Sequence, residues 1–342
     1  MKLRKTMAGV LACAMLATLA GCGSGGTSSA ASTASTASTA SGASGSAEGA
    51  SYRVGVCQLM QHPALDSATQ GFQDALTETF GDAVTFDVEN ASGDNSNCVT
   101  IANSFVSSDV DLILANATTP LQATAAATDS IPILGTSITD YATALDVTDW
   151  TGSSGRNISG TTDLAPLDGQ ADMIKELFPD AKNVGLLYCS AEPNSKYQVN
   201  VITEYLTELG YTCTEYSFSD TNDLSAVCTS ACAGSDVIYI PTDNTAANNT
   251  ELIANIAVPA GVPIVAGEQG ICSGCGVATL SIDYYELGRT TGEMAAKILT
   301  GEADITTMEV QSAPTFTKMY NPTLCEQLGV TIPEGYTAIE AE

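Results

Sequence analysis

The sequence predicts an α/β protein of two doubly wound parallel-sheet lobes joined by a hinge, and three observations predict it. From Tyr52 onward, short Val- and Ile-rich runs alternate with helix-length stretches, the pattern of parallel strands joined by right-handed helical crossovers. Several of these runs are apolar on both faces, as in a sheet covered by helices on each side. The third observation is a weak internal repeat. Val84 to Val88, a polar turn, a helix and Ser108 to Leu114 are echoed by Tyr211 to Tyr216, a polar turn, a helix and Gly234 to Ile240. Each half then gives a polar turn (Asn116 to Pro120; Pro241 to Thr245), an Ala-rich helix and a strand opened by proline (Pro132; Pro263).

Taken in order, strands are predicted at Tyr52 to Leu59, Val84 to Asn90, Val110 to Ala115, Ile131 to Gly135, Asn183 to Tyr188, Tyr211 to Ser217, Asp236 to Ile240, Pro263 to Ala266 and Ala278 to Ile282. Helices fill the intervals: Leu65 to Thr79, Val99 to Ser107, Leu121 to Thr128, Asp168 to Phe178, Lys196 to Leu209, Leu224 to Ala233, Ala246 to Val258 and Tyr285 to Leu299. Thr136 to Asp163 and Gly267 to Val277 are rich in Gly, Ser and Thr without helical or strand period, so they read as crossings between the lobes. The first lobe is expected to comprise residues 51–140 and 277–310, the second 141–276 and 311–342. Ligands of open α/β sheets sit beyond the carboxyl ends of strands, which places a binding cleft between the lobes.

Residues 1–50 read as something other than packed structure. Lys2, Arg4 and Lys5 precede an apolar stretch from Met7 to Leu19, too short to span a bilayer about 30 Å thick. Residues 1–21 are thus expected to be an export signal. It ends in Leu19-Ala20-Gly21-Cys22, which resembles a lipobox, so Cys22 is expected to be lipidated. Residues 22–50 hold, besides Cys22 and Glu48, only Gly, Ser, Ala and Thr, a linker with too little apolar surface to order itself and a reach of about 30 Å. The expected location is outside the cell membrane, held by a lipid anchor. The remaining 292 residues are ample for a buried core. From Cys22 on the chain carries 8 basic against 39 acidic side chains, a formal charge of −31, which excludes the clustered Lys and Arg that a nucleic-acid partner requires.

The turns just past predicted strands carry the candidate binding residues. Thr118 and Thr119 open a helix, where hydroxyls and free N–H groups suit a carboxylate; Ser137 and the pair Asn194 and Ser195 suit the same role. Thr119 and Ser195 are alternatively readable as helix caps. Asp243, Glu268 and Asp283 are placed for a ligand ammonium, with Asp243 the first choice, Asn244 a neutral hydrogen-bonding neighbour, and Asp283 alternatively a cap. Leu59 and Tyr188 offer an apolar wall. His62 is the only histidine and reads as structural or ligand-lining rather than catalytic. Phosphate-loop, dinucleotide, hydrolase-elbow and zincin motifs are missing, so neither an enzyme nor a cofactor or metal is expected. Nine cysteines remain beyond Cys13 and Cys22. Cys272-Ser-Gly-Cys275 has redox or metal spacing, and its readings stay open between a local disulfide, a metal site with Cys228 and Cys232, and plain packing.

Gln61 to Asp66, Asn90 to Asp94, Ala117-Thr118 with Gln122, Thr139-Asp140, Tyr188, Glu192 to Ser195, Pro241 to Asn244, Gly267-Glu268 and Ile282 to Arg289 occur in one order over nearly the whole body. Together they resemble the ABC-transporter substrate-binding lipoproteins of the type I periplasmic-binding-protein fold, the family that includes tryptophan- and aromatic-amino-acid-binding members. Cys272 to Gly276 departs from that pattern. The resemblance implies a monomer whose lobes close on a small zwitterion, an aromatic or apolar amino acid. It implies delivery to a membrane permease driven by a separate ATPase, and it adds Asp140 to the candidate ligand contacts. A surface sensor using the same cleft, or a binder of another solute such as a nucleoside, is the alternative. Trp150 is the lone tryptophan and lies in a predicted crossing, which argues against a ring-sandwiching sugar site.

Overall fold

The structure, a computed structural model, describes residues 51–340. Its first sheet has six strands, in the order β11-β5-β4-β3-β1-β2: β1 (Tyr52–Gln58), β2 (Val84–Asn90), β3 (Leu112–Asn116), β4 (Ile133–Ile138), β5 (Ile158–Thr162) and β11 (Gln311–Ser312). The second has seven, in the order β13-β12-β10-β9-β8-β6-β7: β6 (Asn183–Cys189), β7 (Thr212–Phe218), β8 (Val237–Ile240), β9 (Ile264–Ala266), β10 (Ala278–Ser281), β12 (Thr317–Tyr320) and β13 (Thr337–Ala338). All pairings are parallel except β10 with β12. Two doubly wound lobes result, as expected.

Side-chain alternation along the strands builds a core on each face of each sheet. In β3, Ile113 and Ala115 join Cys57, Phe105, Leu121 and Tyr141 beneath α2 (Asn95–Ser107), α3 (Thr118–Ala127) and α4 (Tyr141–Leu145). Leu112 and Leu114 point the other way, to Phe72 and Leu76 of α1 (Pro63–Phe80) and Met294 of α11 (Tyr284–Leu299). The second lobe repeats the plan. Leu186 and Tyr239 face α5 (Leu167–Leu177), α6 (Pro193–Glu208) and α12 (Pro322–Leu328). Leu187 and Ile238 face α7 (Thr221–Gly234), α9 (Thr250–Ala260) and α10 (Gln269–Cys275). A one-turn helix, α8 (Asn244–Ala247), follows β8.

The chain passes between lobes three times, at 163–166, 282–283 and 313–316, and the expected lobe boundaries change accordingly. Residues 141–162 were assigned to the second lobe, but β5 pairs with β4, so the first lobe runs to Thr162. Residues 277–281 were assigned to the first lobe, yet β10 pairs with β9 and β12 in the second. β11, expected in the second lobe, pairs with β5 in the first. Neither predicted crossing is irregular throughout, since Thr136 to Asp163 holds α4 and β5 and Gly267 to Val277 holds α10. The export signal, the Cys22 site and the linker lie outside the described residues.

Candidate functional site

A cavity of about 20 Å³, room for little more than one water while the lobes are closed, lies between the lobes at the carboxyl ends of the strands. The first lobe contributes His62, Ala64 and Leu65 from the entry to α1, Ser137 and Thr139 from the end of β4, Asp163 from the end of β5 and Tyr284 from α11. The second contributes Asn194, Thr242, Asp243, Asn244, Ala247 and Glu268. Ser137 reaches the cavity because β4 slips register between Gly135 and Ile138, and its own φ is +56°. That left-handed conformation costs a non-glycine residue free energy, a sign that the position is over-determined by its surroundings. Its Oγ is buried without a partner among the described residues.

Three carboxyl groups are buried in this wall, and no Lys or Arg lines it among the described residues. Asp163 accepts from Tyr284 Oη at 2.9 Å and Thr139 Oγ1 at 3.3 Å. Burial pushes its pKa up to about 6 against those hydrogen bonds. Glu268 caps α10, accepting from the N–H groups of Gly270 and Ile271; burial lifts it to about 7, with the charge of Asp163 adding to the rise. Asp243 caps α8 through Ala246 N at 2.8 Å and also accepts from Cys189 N at 2.6 Å. Burial, then the nearby Glu192, raise it to about 8. A buried wall holding three acids and, among the described residues, no Lys or Arg favours a ligand that brings positive charge.

Hydrogen bonds tie the lobes together around the cavity. His62 Nε2 meets Asn244 Oδ1 at 3.1 Å, Thr139 Oγ1 meets Thr242 Oγ1 at 3.4 Å, and Gln198 Nε2 reaches Thr139 Oγ1 at 3.5 Å. Behind them Glu192 gathers Asn244 N and Nδ2, Thr245 N and Oγ1, and Asn194 Nδ2 at 2.7–3.2 Å, fixing the turn that opens α8.

Of the residues singled out in the sequence, Ser137, Asn194, Asp243, Asn244 and Glu268 meet in this cavity. Ser195 lies buried beneath it and accepts from Asn194 Nδ2 at 3.3 Å. Leu59 and Thr119 line an adjoining groove of about 370 Å³ instead, and Thr118 is buried in the first turn of α3. Two expectations are corrected: Asp140 caps α4 by accepting from Thr143 N, and Tyr188 turns into the core of the second lobe, its hydroxyl on Glu215 at 2.6 Å. Of the two readings of Asp283 the structure has the cap, exposed at the start of α11. Asp163, Thr139, Thr242 and Tyr284 were missed. Tyr284 and Thr139 stood inside stretches already noted, whereas Asp163 follows a strand that hydropathy does not reveal.

Two lobes closed over a buried polar cavity define a bilobal solute-binding protein. The family model described as ABC transporter substrate binding protein matches residues 53–341, and the chain belongs to that family. A curated relative, the tyrosine-binding protein of Clostridioides difficile (strain R20291), is 36% identical over 253 residues, 73% of each chain. Among solved structures, an ABC domain from Streptococcus pneumoniae in complex with L-Trp superposes with TM-score 0.81 at 32% identity, covering 85% of this chain and 100% of that one. The ligand-free, open substrate-binding protein with adhesive properties from Clostridium difficile gives TM-score 0.66 at 33% identity, with the same coverage. The protein is an extracytoplasmic, non-enzymatic binder of small molecules that works with a permease and an ATPase.

Proposed function

We propose that the chain captures an aromatic amino acid between its lobes and hands it to the importer as a monomer anchored through a lipid on Cys22. The observation that carries the ligand class is the cavity wall itself: three buried carboxyl groups and no cationic side chain among the described residues. An ammonium beside Asp163 and Glu268 offsets charge that the closed lobes have removed from water. Ala64, Leu65 and Ala247 supply apolar surface for a ring. The names of the relatives, tyrosine-binding in one and L-Trp-complexed in the other, support the same class. Asp163 is the acid left for direct contact, because each oxygen of Asp243, the first choice on sequence, and of Glu268 already accepts a backbone N–H.

Thermal shift of the purified protein against the twenty amino acids, short peptides, nucleosides and sugars tests the reading. An aromatic amino acid at 100 times its dissociation constant is expected to add about 2.7 kcal/mol of stability. A shift with nucleosides and none with amino acids overturns it. For the anchor, Cys22→Ser is expected to move the protein from the membrane fraction to the soluble one, and retention on the membrane would refute lipidation there.

A further inference from the structure

The two ring nitrogens of His62 have different fates. Nε2 crosses to Asn244 Oδ1 at 3.1 Å, and the direction of that bond is fixed from behind. Asn244 Nδ2 donates to Glu192 Oε2 at 2.7 Å, so the amide presents its oxygen to the ring, and His62 must be the donor. The neutral ring then carries its proton on Nε2, leaving Nδ1 a bare acceptor. That atom is buried with no partner among the described residues, in a side chain 7% exposed that lines the cavity. Its neighbours Ala64 and Leu65 are apolar, and Ala247 belongs to the wall opposite. Besides its acids, the cavity wall thus offers an uncharged, unpartnered acceptor at His62.

Building on the aromatic amino-acid reading, we infer that His62 Nδ1 accepts a hydrogen bond from the ligand's ring, the indole N–H of tryptophan or the phenolic O–H of tyrosine. Phenylalanine offers neither. It would leave Nδ1 desolvated and unpaired, and sites built around such a hydrogen bond discriminate strongly against the analogue that lacks it. His62 thus serves ligand selection with one nitrogen and lobe closure with the other.

Calorimetric titration of the parent protein with L-tryptophan, L-tyrosine, L-phenylalanine, 1-methyl-L-tryptophan and O-methyl-L-tyrosine is the test. At least one donor-bearing amino acid is expected to bind about 10- to 100-fold more tightly than L-phenylalanine. Its methylated analogue should lose a similar factor, and whichever analogue does so tells which donor reaches Nδ1. His62→Gln keeps an amide where Nε2 stands and removes the Nδ1 acceptor, so the preference should collapse toward unity. His62→Asn puts an acceptor near Nδ1 and removes the crossing donor, so preference should persist at lower overall affinity. Equal binding of all three amino acids by the parent, or an unchanged preference in His62→Gln, overturns the inference while leaving the aromatic reading intact. Binding of none of them overturns that reading and this inference with it.

Discussion

Asp163 is buried at the cavity with only two hydroxyl donors, from Tyr284 and Thr139, to support its charge. Replacing it by Asn keeps the shape, and both hydroxyls can rotate to suit an amide. What is lost is the negative charge facing a ligand ammonium. Asp163→Asn is therefore expected to weaken amino-acid binding by about 1.5–3 kcal/mol, about 10- to 150-fold, while leaving the unliganded protein no less heat-stable at pH 8. Titration calorimetry and a melting curve of the same preparation check both halves. Asp283→Asn is the contrast. That side chain caps α11 from an exposed position, so affinity should stay as in the parent. A variant at 283 that loses binding, with 163 indifferent, would reverse the assignment of the two acids.

At the scale of elements, α1 and α11 decide whether Tyr284 reaches Asp163. The two helices pack almost backbone to backbone: a Cβ at Gly288 would lie 2.0 Å from Ala68 O, and one at Gly71 would lie 2.1 Å from Tyr285 O. Only hydrogen fits at either place, so Gly288→Ala forces the helices apart at a cost of about 1–3 kcal/mol. Because Tyr284 opens the displaced helix, ligand affinity is expected to fall together with the melting temperature; a variant as stable as the parent would refute the close packing. This contact shows how far the sequence could be read. The amphipathic pattern gave α11, but nothing in it said that the helix returns to the first lobe after a strand of the second. Strands with continuous apolar runs, β1 to β4 and β6 to β10, were legible to within a few residues. β5 was not, since Ile158-Ser-Gly-Thr-Thr162 buries hydroxyls rather than hydrocarbon: Thr161 Oγ1 pairs with Thr291 Oγ1 at 2.8 Å and Ser159 Oγ with Met308 O at 3.0 Å. Hydrogen bonding replaces hydropathy there, so the strand, the lobe boundary and Asp163 went unseen together. Asp283 stays open between ligand and cap on sequence for a related reason, because an acid after a strand looks alike whether it faces a ligand or the first turn of a helix.

For the whole molecule, the same buried acids link closure to pH. The pKa values of Asp163, Glu268 and Asp243, about 6, about 7 and about 8, stand above those of the unfolded chain. Groups raised in this way contribute stability that is complete below their unfolded values and is lost as pH rises through 6 to 8. His62 runs the opposite way. Burial lowers its pKa, Asn244 and the charges of Glu192 and Asp66 opposing, so its contribution fades as pH falls below about 6.5. Three acids outweigh one histidine, so the empty closed form should weaken between about pH 5 and 8. In the closed empty form Glu268 and Asp243 therefore keep part of their protons at pH 7, and a ligand's ammonium, by favouring the ionised carboxylates, displaces them. Two results are expected. The melting temperature without ligand falls across that range while the increment added by a saturating amino acid grows. Binding at pH 7 also releases protons, read as a dependence of the calorimetric enthalpy on the buffer's ionisation heat. A ligand increment independent of pH, with no proton release, would mean that the cavity acids are already ionised before the ligand arrives, and that closure does not depend on their charge.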